Sequence, residues 1–141
     1  MLRHAPGGAG RSRHAQMTRS FSLGARIASF GNAFRGLAEL LATQHNAWIH
    51  AAATLAVCAL GALLGISAGE WLAVVLAIAA VWSAEAMNTA FESLCDVVSP
   101  ELHPRVRRAK DVAAGAVLAS ATGAAAVGLI VFGPRLVSLV R

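Results

Sequence analysis

Four polar residues, Glu85, Asn88, Glu92 and Asp96, punctuate an otherwise apolar stretch of this chain. On an α-helix advancing 100° per residue they fall within about 80° of one another, so they form one stripe with an apolar face opposite. Ionisable groups at membrane depth cost a few kcal/mol each unless they are paired or wetted, and they mark function by default. A single amide or acid is enough to tie helices together. Three carboxyls and an amide exceed that need.

The stripe suits two tasks. Carboxylates near a water interface, as Glu92 and Asp96 would be, can hold Mg²⁺, which takes oxygen ligands and binds together with substrate phosphates. A carboxyl shielded by apolar surroundings, as Glu85 would be, suits a general base acting on an alcohol. Downstream, Lys110 and Asp111 open another apolar run. Lys110 can pair with phosphate as a point charge or serve as an interfacial anchor; its spacing leaves both readings open. No GxxxxGK[ST] loop and no GxGxxG fingerprint occurs. A nucleotide would therefore bind without a P-loop or a kinase-type glycine loop.

The elements that must position these residues follow from composition. Of 141 residues, 57% are hydrophobic and 13% charged, too apolar for a soluble domain of this size. The apolar content is chiefly Ala, Val and Leu and there is no Tyr, which points to helices packed through small residues rather than to a β-barrel. The net charge is +5, but no Lys or Arg lies between Arg35 and Arg105. Basic residues that flank apolar spans read as topology anchors at lipid headgroups, and no nucleic-acid partner is expected. Cys58 and Cys95 fall inside apolar spans without metal spacing and read as packing residues. No apolar segment of signal-peptide type follows the basic N-terminal residues.

Along the chain, residues 1–18 are rich in Gly, Arg and His and read as a disordered tail, leaving 19–141 as one membrane domain. Residues 20–43 carry Phe21, Ile27, Phe30, Phe34, Leu37, Leu40 and Leu41 at helical spacing, the pattern of an amphipathic helix on a membrane surface. Three spans follow, at about 47–66, 71–98 and 111–132, each near or above the roughly 20 residues a bilayer needs. Residues 99–110 read as a loop between the second and third spans. The third span has small residues at four-residue spacing, Gly115, Ala119 and Gly123 among them, a close-packing signal. The basic N-terminal arm and the basic 99–110 segment place both in the cytoplasm, with the C-terminus outside, although Arg135 and Arg141 mildly oppose that assignment.

The segment "EAMNTAFESLCDVVSPELHPRVRRAKDVAAGAV", residues 85–117, resembles the signature of the small bacterial integral-membrane diacylglycerol kinase and undecaprenol kinase family. The likeness extends more weakly back through "NAFRGL" and "NAWIH". It implies an all-α membrane protein of the bacterial inner membrane, with a surface helix, three spans per subunit and a homotrimeric bundle whose active sites form between subunits. It implies transfer of the γ-phosphate of ATP, with Mg²⁺, to a membrane lipid alcohol. By match, Glu85 is the general base, Asn88 positions it, and Glu92 is a metal ligand. Asp96, Glu101, His103, Lys110 and Asp111 fall at or beside the nucleotide, and Asn32 near a nucleotide-contacting position. The family pattern T-E-R-N-x-x-I-H supplies a second metal-binding Glu where this chain reads "TQHNAWIH", so Gln44 offers a neutral carbonyl oxygen there.

The compact "VSPELHP" loop and the "AKDVAAGAV" run are more similar to the undecaprenol kinase branch, although both branches share the catalytic residues. A different reading of the stripe is a non-enzymatic three-span bundle whose carboxylates line a proton or ion path.

Overall fold

A computed structural model describes residues 22–101 and 103–141. The tail read at 1–18 and the first residues of the expected surface helix lie outside that range. The described residues form four helices: α1, Leu23–Thr43; α2, His45–Leu64; α3, Ala68–Val98; and α4, Pro104–Val140. Three of them, α2, α3 and α4, are long and apolar enough to cross a membrane.

Local chemistry sets each boundary. The Ser22 hydroxyl accepts a hydrogen bond from the Ala25 amide and starts α1. Gln44, in extended conformation, ends α1 and starts α2, so the two helices meet at a single residue. Gly65 takes a left-handed conformation (φ 59°) to close α2, which a residue without a Cβ does at little cost. Helix α3 begins at Ala68, three residues before the expected Trp71. Ser67 and Glu70 form a reciprocal capping box there that satisfies the first free amides.

The 99–110 loop is shorter than its sequence suggests. Pro104 opens α4 at the first helical position, where its missing N–H costs nothing, and His103 Nδ1 accepts from the Arg105 amide at 3.2 Å. The basic run 105–110 is therefore helical and precedes the apolar span on the same rod. At the other end α4 continues through Pro134 to Val140, beyond the expected stop at 132.

Helices α3 and α4 lie antiparallel, joined by an ion pair at each end. Lys110 Nζ meets Asp96 Oδ1 at 2.9 Å, and Arg135 meets Glu70 through two bonds of 2.7 and 2.8 Å. At 1.5 Å per residue these clamps stand about 38 Å apart, more than the roughly 30 Å of bilayer hydrocarbon. Both charged pairs can thus sit at headgroup level while the rods between them stay apolar.

The densest packing is at the 66–70 turn. Ile66, Val74, Val131 and Phe132 are buried together, with Val57, Leu60, Trp71 and Val127 against them. A Cβ on Gly61 would lie 2.9 Å from Trp71 Cη2 and 3.1 Å from Ile66 Cδ1, so α2 meets the turn through a glycine. Elsewhere the outer surface is apolar: Leu55, Leu72, Leu76, Leu118, Leu129 and Ile130 are exposed. An aqueous surface would not carry so much apolar area, whereas lipid tails or other helices would cover it without penalty. In α1, Leu40 is buried, while Ile27, Phe30, Phe34 and Leu37 are exposed. Cys58 and Cys95 are free thiols, half-buried and buried.

Candidate active site

The stripe on α3 runs from the interior to the surface. Glu85 is 1% exposed and Asn88 9%, Glu92 is half-buried, and Asp96 is exposed. One helix thus presents a carboxylate shielded from water and, about 16 Å along its axis, another in it. Asn88 Nδ2 donates to Glu92 Oε1 at 3.3 Å, linking the middle of the stripe. Asp96 receives Lys110 from α4.

Helix α2 supplies the facing wall. Asn46, Ile49 and His50 join Glu85 and Asn88, with Ala114, Val117, Leu118 and Ala121 of α4, around a cleft of about 270 Å³. The small α4 residues leave this space open where larger side chains would fill it. Four side-chain atoms are buried here and nearby without a hydrogen-bond partner: His50 Nε2, Glu85 Oε2, Asn88 Oδ1 and Thr89 Oγ1. Buried polar groups are nearly always paired, and leaving one unpaired costs about 1–3 kcal/mol. Of these residues His50, Glu85 and Asn88 line the cleft, and a hydroxyl, which both donates and accepts, has the polarity to pair there.

An apolar groove of about 360 Å³ adjoins the cleft and shares Ile49, His50 and Ala121 with it. Its other walls include Val57, Val74, Ile78, Val81, Ala124 and Gly128. On the far side of the stripe, Pro104, Arg107, Lys110 and Asp111 line a recess of about 340 Å³ at the start of α4. An apolar channel, a cleft with unpaired acceptors and a cationic recess thus follow one another along the bundle.

The remaining residues singled out from sequence stand apart from this constellation. Asn32, exposed on α1, accepts from the Arg35 guanidinium. The Gln44 amide reaches Thr43 Oγ1 at 3.5 Å. The Glu101 carbonyl accepts from the Ser99 hydroxyl, and His103 is engaged in capping α4. Two residues at the cleft, Asn46 and His50, were not assigned roles from sequence. Both lie in "NAWIH", and their helical spacing of four, which puts them on one face of α2, was the available signal.

Among the described residues no three His, Cys, Asp or Glu gather into a group that could hold a metal by themselves. That donor set does not suit a closed cage. It does fit Mg²⁺, which commonly takes one or two protein carboxylates and completes its shell with substrate phosphates and water.

Comparison with known proteins places the chain in a family. A family model described as prokaryotic diacylglycerol kinase matches residues 31–132. The undecaprenol kinase of Bacillus subtilis is 41% identical over 108 residues, covering 77% of this chain and 88% of that protein. The diacylglycerol kinase of a Synechocystis species is 38% identical over 114 residues, covering 80% of this chain and 65% of that protein. No solved structure matches at comparable significance.

Proposed function

The chain belongs to the prokaryotic diacylglycerol kinase family, and from that premise we propose that this multi-pass membrane lipid kinase phosphorylates a long-chain polyprenol of the undecaprenol class at its terminal hydroxyl. The observation that carries the reading is the continuity of the apolar groove with a cleft of unpaired buried polar atoms. A lipid alcohol has that polarity: a chain for the groove and one hydroxyl for the cleft. The 41% identity to an undecaprenol kinase, over 88% of its length, supports the polyprenol over diacylglycerol.

In this mechanism the hydroxyl enters beside Glu85. The carboxylate takes its proton as the alcohol oxygen attacks the γ-phosphorus of ATP. The new O–P bond forms, the bond from phosphorus to the β–γ bridging oxygen breaks, and ADP leaves with that electron pair. Glu85 later returns the proton to water. Asn88 holds Glu92 through its amide N–H and offers its carbonyl oxygen to the cleft. Lys110, released from Asp96, pairs with nucleotide phosphate from the recess it shares with Asp111. Asn32, Gln44, Glu101 and His103 belong to nucleotide or metal contacts that form on binding. Glu92 would hold Mg²⁺, with Gln44 adding an amide oxygen, and a cation held there would supply charge compensation for the transferring phosphoryl group. The exposed apolar faces are covered by lipid and by two further copies of the chain in a homotrimer, with α1 on the membrane surface. The stripe end of the bundle faces the cytoplasm, where ATP is available, which places the basic start of α4 on that side.

The test is transfer of radiolabelled phosphate from ATP in sealed membrane vesicles loaded with either undecaprenol or diacylglycerol. Product should form with undecaprenol in preference, and only in inverted vesicles, whose cytoplasmic face meets the added ATP. Preferred labelling of diacylglycerol would transfer the specificity to the other lipid. Activity confined to right-side-out vesicles would reverse the orientation.

A further inference from the structure

Glu85 Oε2 is buried without a hydrogen-bond partner, and the group facing it is not part of the stripe. His50 Nε2, on α2, lies 3.7 Å from Glu85 Oε2. Both atoms are buried and neither has a hydrogen-bond partner. The separation is a few tenths of an ångström beyond hydrogen-bonding distance, so the two groups stand in register without being joined. Such gaps tighten in a substrate complex, where groups that are loosely aligned beforehand close on the reacting atoms.

The imidazole is held in place from behind. The His50 ring meets the Trp82 ring edge-on, with centroids 6.5 Å apart and planes at 65°. Trp82 is itself fixed by its indole N–H, which donates to Thr54 Oγ1 at 3.1 Å. Thr54 and Trp82 thus tie α2 to α3 one turn from the dyad, and that tie limits the rotamers open to His50. His50 also lines both the apolar groove and the polar cleft, at the point where a chain in one becomes a hydroxyl in the other.

We infer that His50 is a positioning residue for the base: its Nε2–H donates to Glu85 Oε2 when the lipid alcohol is bound. That bond fixes the carboxylate plane and leaves Oε1 as the oxygen that accepts the substrate proton. No proton leaves His50 in this step; the hydroxyl proton goes to Glu85 and the phosphoryl group to the alcohol oxygen, as above. The inference rests on the reading of Glu85 as general base.

A double-mutant cycle on the full-length enzyme tests it, using His50→Leu, His50→Gln, Glu85→Gln and the two His50 changes combined with Glu85→Gln. Because misplacing a reacting group by about 1 Å costs about 10²-fold in rate, His50→Leu should lower kcat by about that factor. Its KM for ATP should stay near the parent value. His50→Gln keeps an N–H donor and should recover part of the loss; it also serves if the leucine variant folds poorly. In the Glu85→Gln background either His50 change should alter the residual rate by no more than about twofold, since a residue acting through Glu85 has nothing left to position. Equal fold-losses in both backgrounds would overturn the inference. So would parent-like kcat in His50→Leu, or a glutamine variant no better than the leucine one. If Glu85→Gln itself turns over normally, the base assignment falls and the inference with it. If Glu85→Gln is inactive while His50→Leu is not, the base assignment stands and only the inference is lost.

Discussion

The two ends of the α3–α4 pair treat their polar groups in opposite ways. At the turn end, Glu70 is fully engaged: Ser67 N–H and hydroxyl donate to Oε2, and Arg135 bonds both carboxylate oxygens. Arg135 also reaches the Val131 carbonyl at 2.8 Å. Around this pair Ile66, Val74, Val131 and Phe132 are closely packed. Toward the stripe end, Glu85 is buried more deeply than Glu70, yet its Oε2 has no hydrogen-bond partner. A half-buried acid with every oxygen bonded is a structural joint. A buried one left without a hydrogen bond carries a cost that pairing in the substrate complex relieves, which is how an active site differs from a helix tie.

That contrast can be broken most sharply at Glu85. Glu85→Gln keeps size and hydrogen-bonding capacity but removes proton acceptance. Turnover should fall about 10²–10⁴-fold, the typical range for loss of general base catalysis. Because the native acid is an unpaired buried group, the thermal midpoint in detergent should be no lower than the parent's. A variant that melts early and keeps its specific activity would mean that Glu85 is a joint, as Glu70 is.

Lys110→Met probes the boundary between the two behaviours. The pair with Asp96 is solvent-accessible, with the Asp96 side chain 71% exposed, so it adds little to stability. A phosphate contact is charge-assisted and its loss is worth about 1.5–3 kcal/mol, or about 10–10²-fold in kcat/KM for ATP. Initial-rate kinetics at varied ATP should show that fall, with the KM for lipid nearly unchanged. If kinetics hold and membrane insertion suffers, Lys110 is an anchor.

Gly61→Val tests the turn end in the opposite sense. The new side chain meets the rigid Trp71 ring, and overpacking of this kind costs about 1–3 kcal/mol. The unfolding midpoint should fall, while kcat below the transition should match the parent, because the damage is remote from the cleft. An equal loss of kcat would show that the two ends are coupled.

The helical class, three membrane-crossing segments and the stripe on one face were legible in the sequence because each depends on periodicity and composition along a single chain segment. The family was legible from residues 85–117, and the family match confirms it. Boundaries were less legible. The sequence around Pro104 reads as a loop, but proline at the first helical position with a histidine cap starts a helix. Arg135 reads as a stray charge against the topology, and its partner Glu70 is 65 positions away. The burial gradient along the stripe, the cleft shared by α2, α3 and α4, and the approach of His50 to Glu85 are properties of packing between helices. Local spacing cannot encode them, since it fixes the face on which a side chain stands but not what stands opposite. Residue types and spacing name the carboxylates and amide of the α3 stripe, whereas packing between helices brings His50 to them and leaves Glu85 Oε2 and Asn88 Oδ1 without hydrogen bonds.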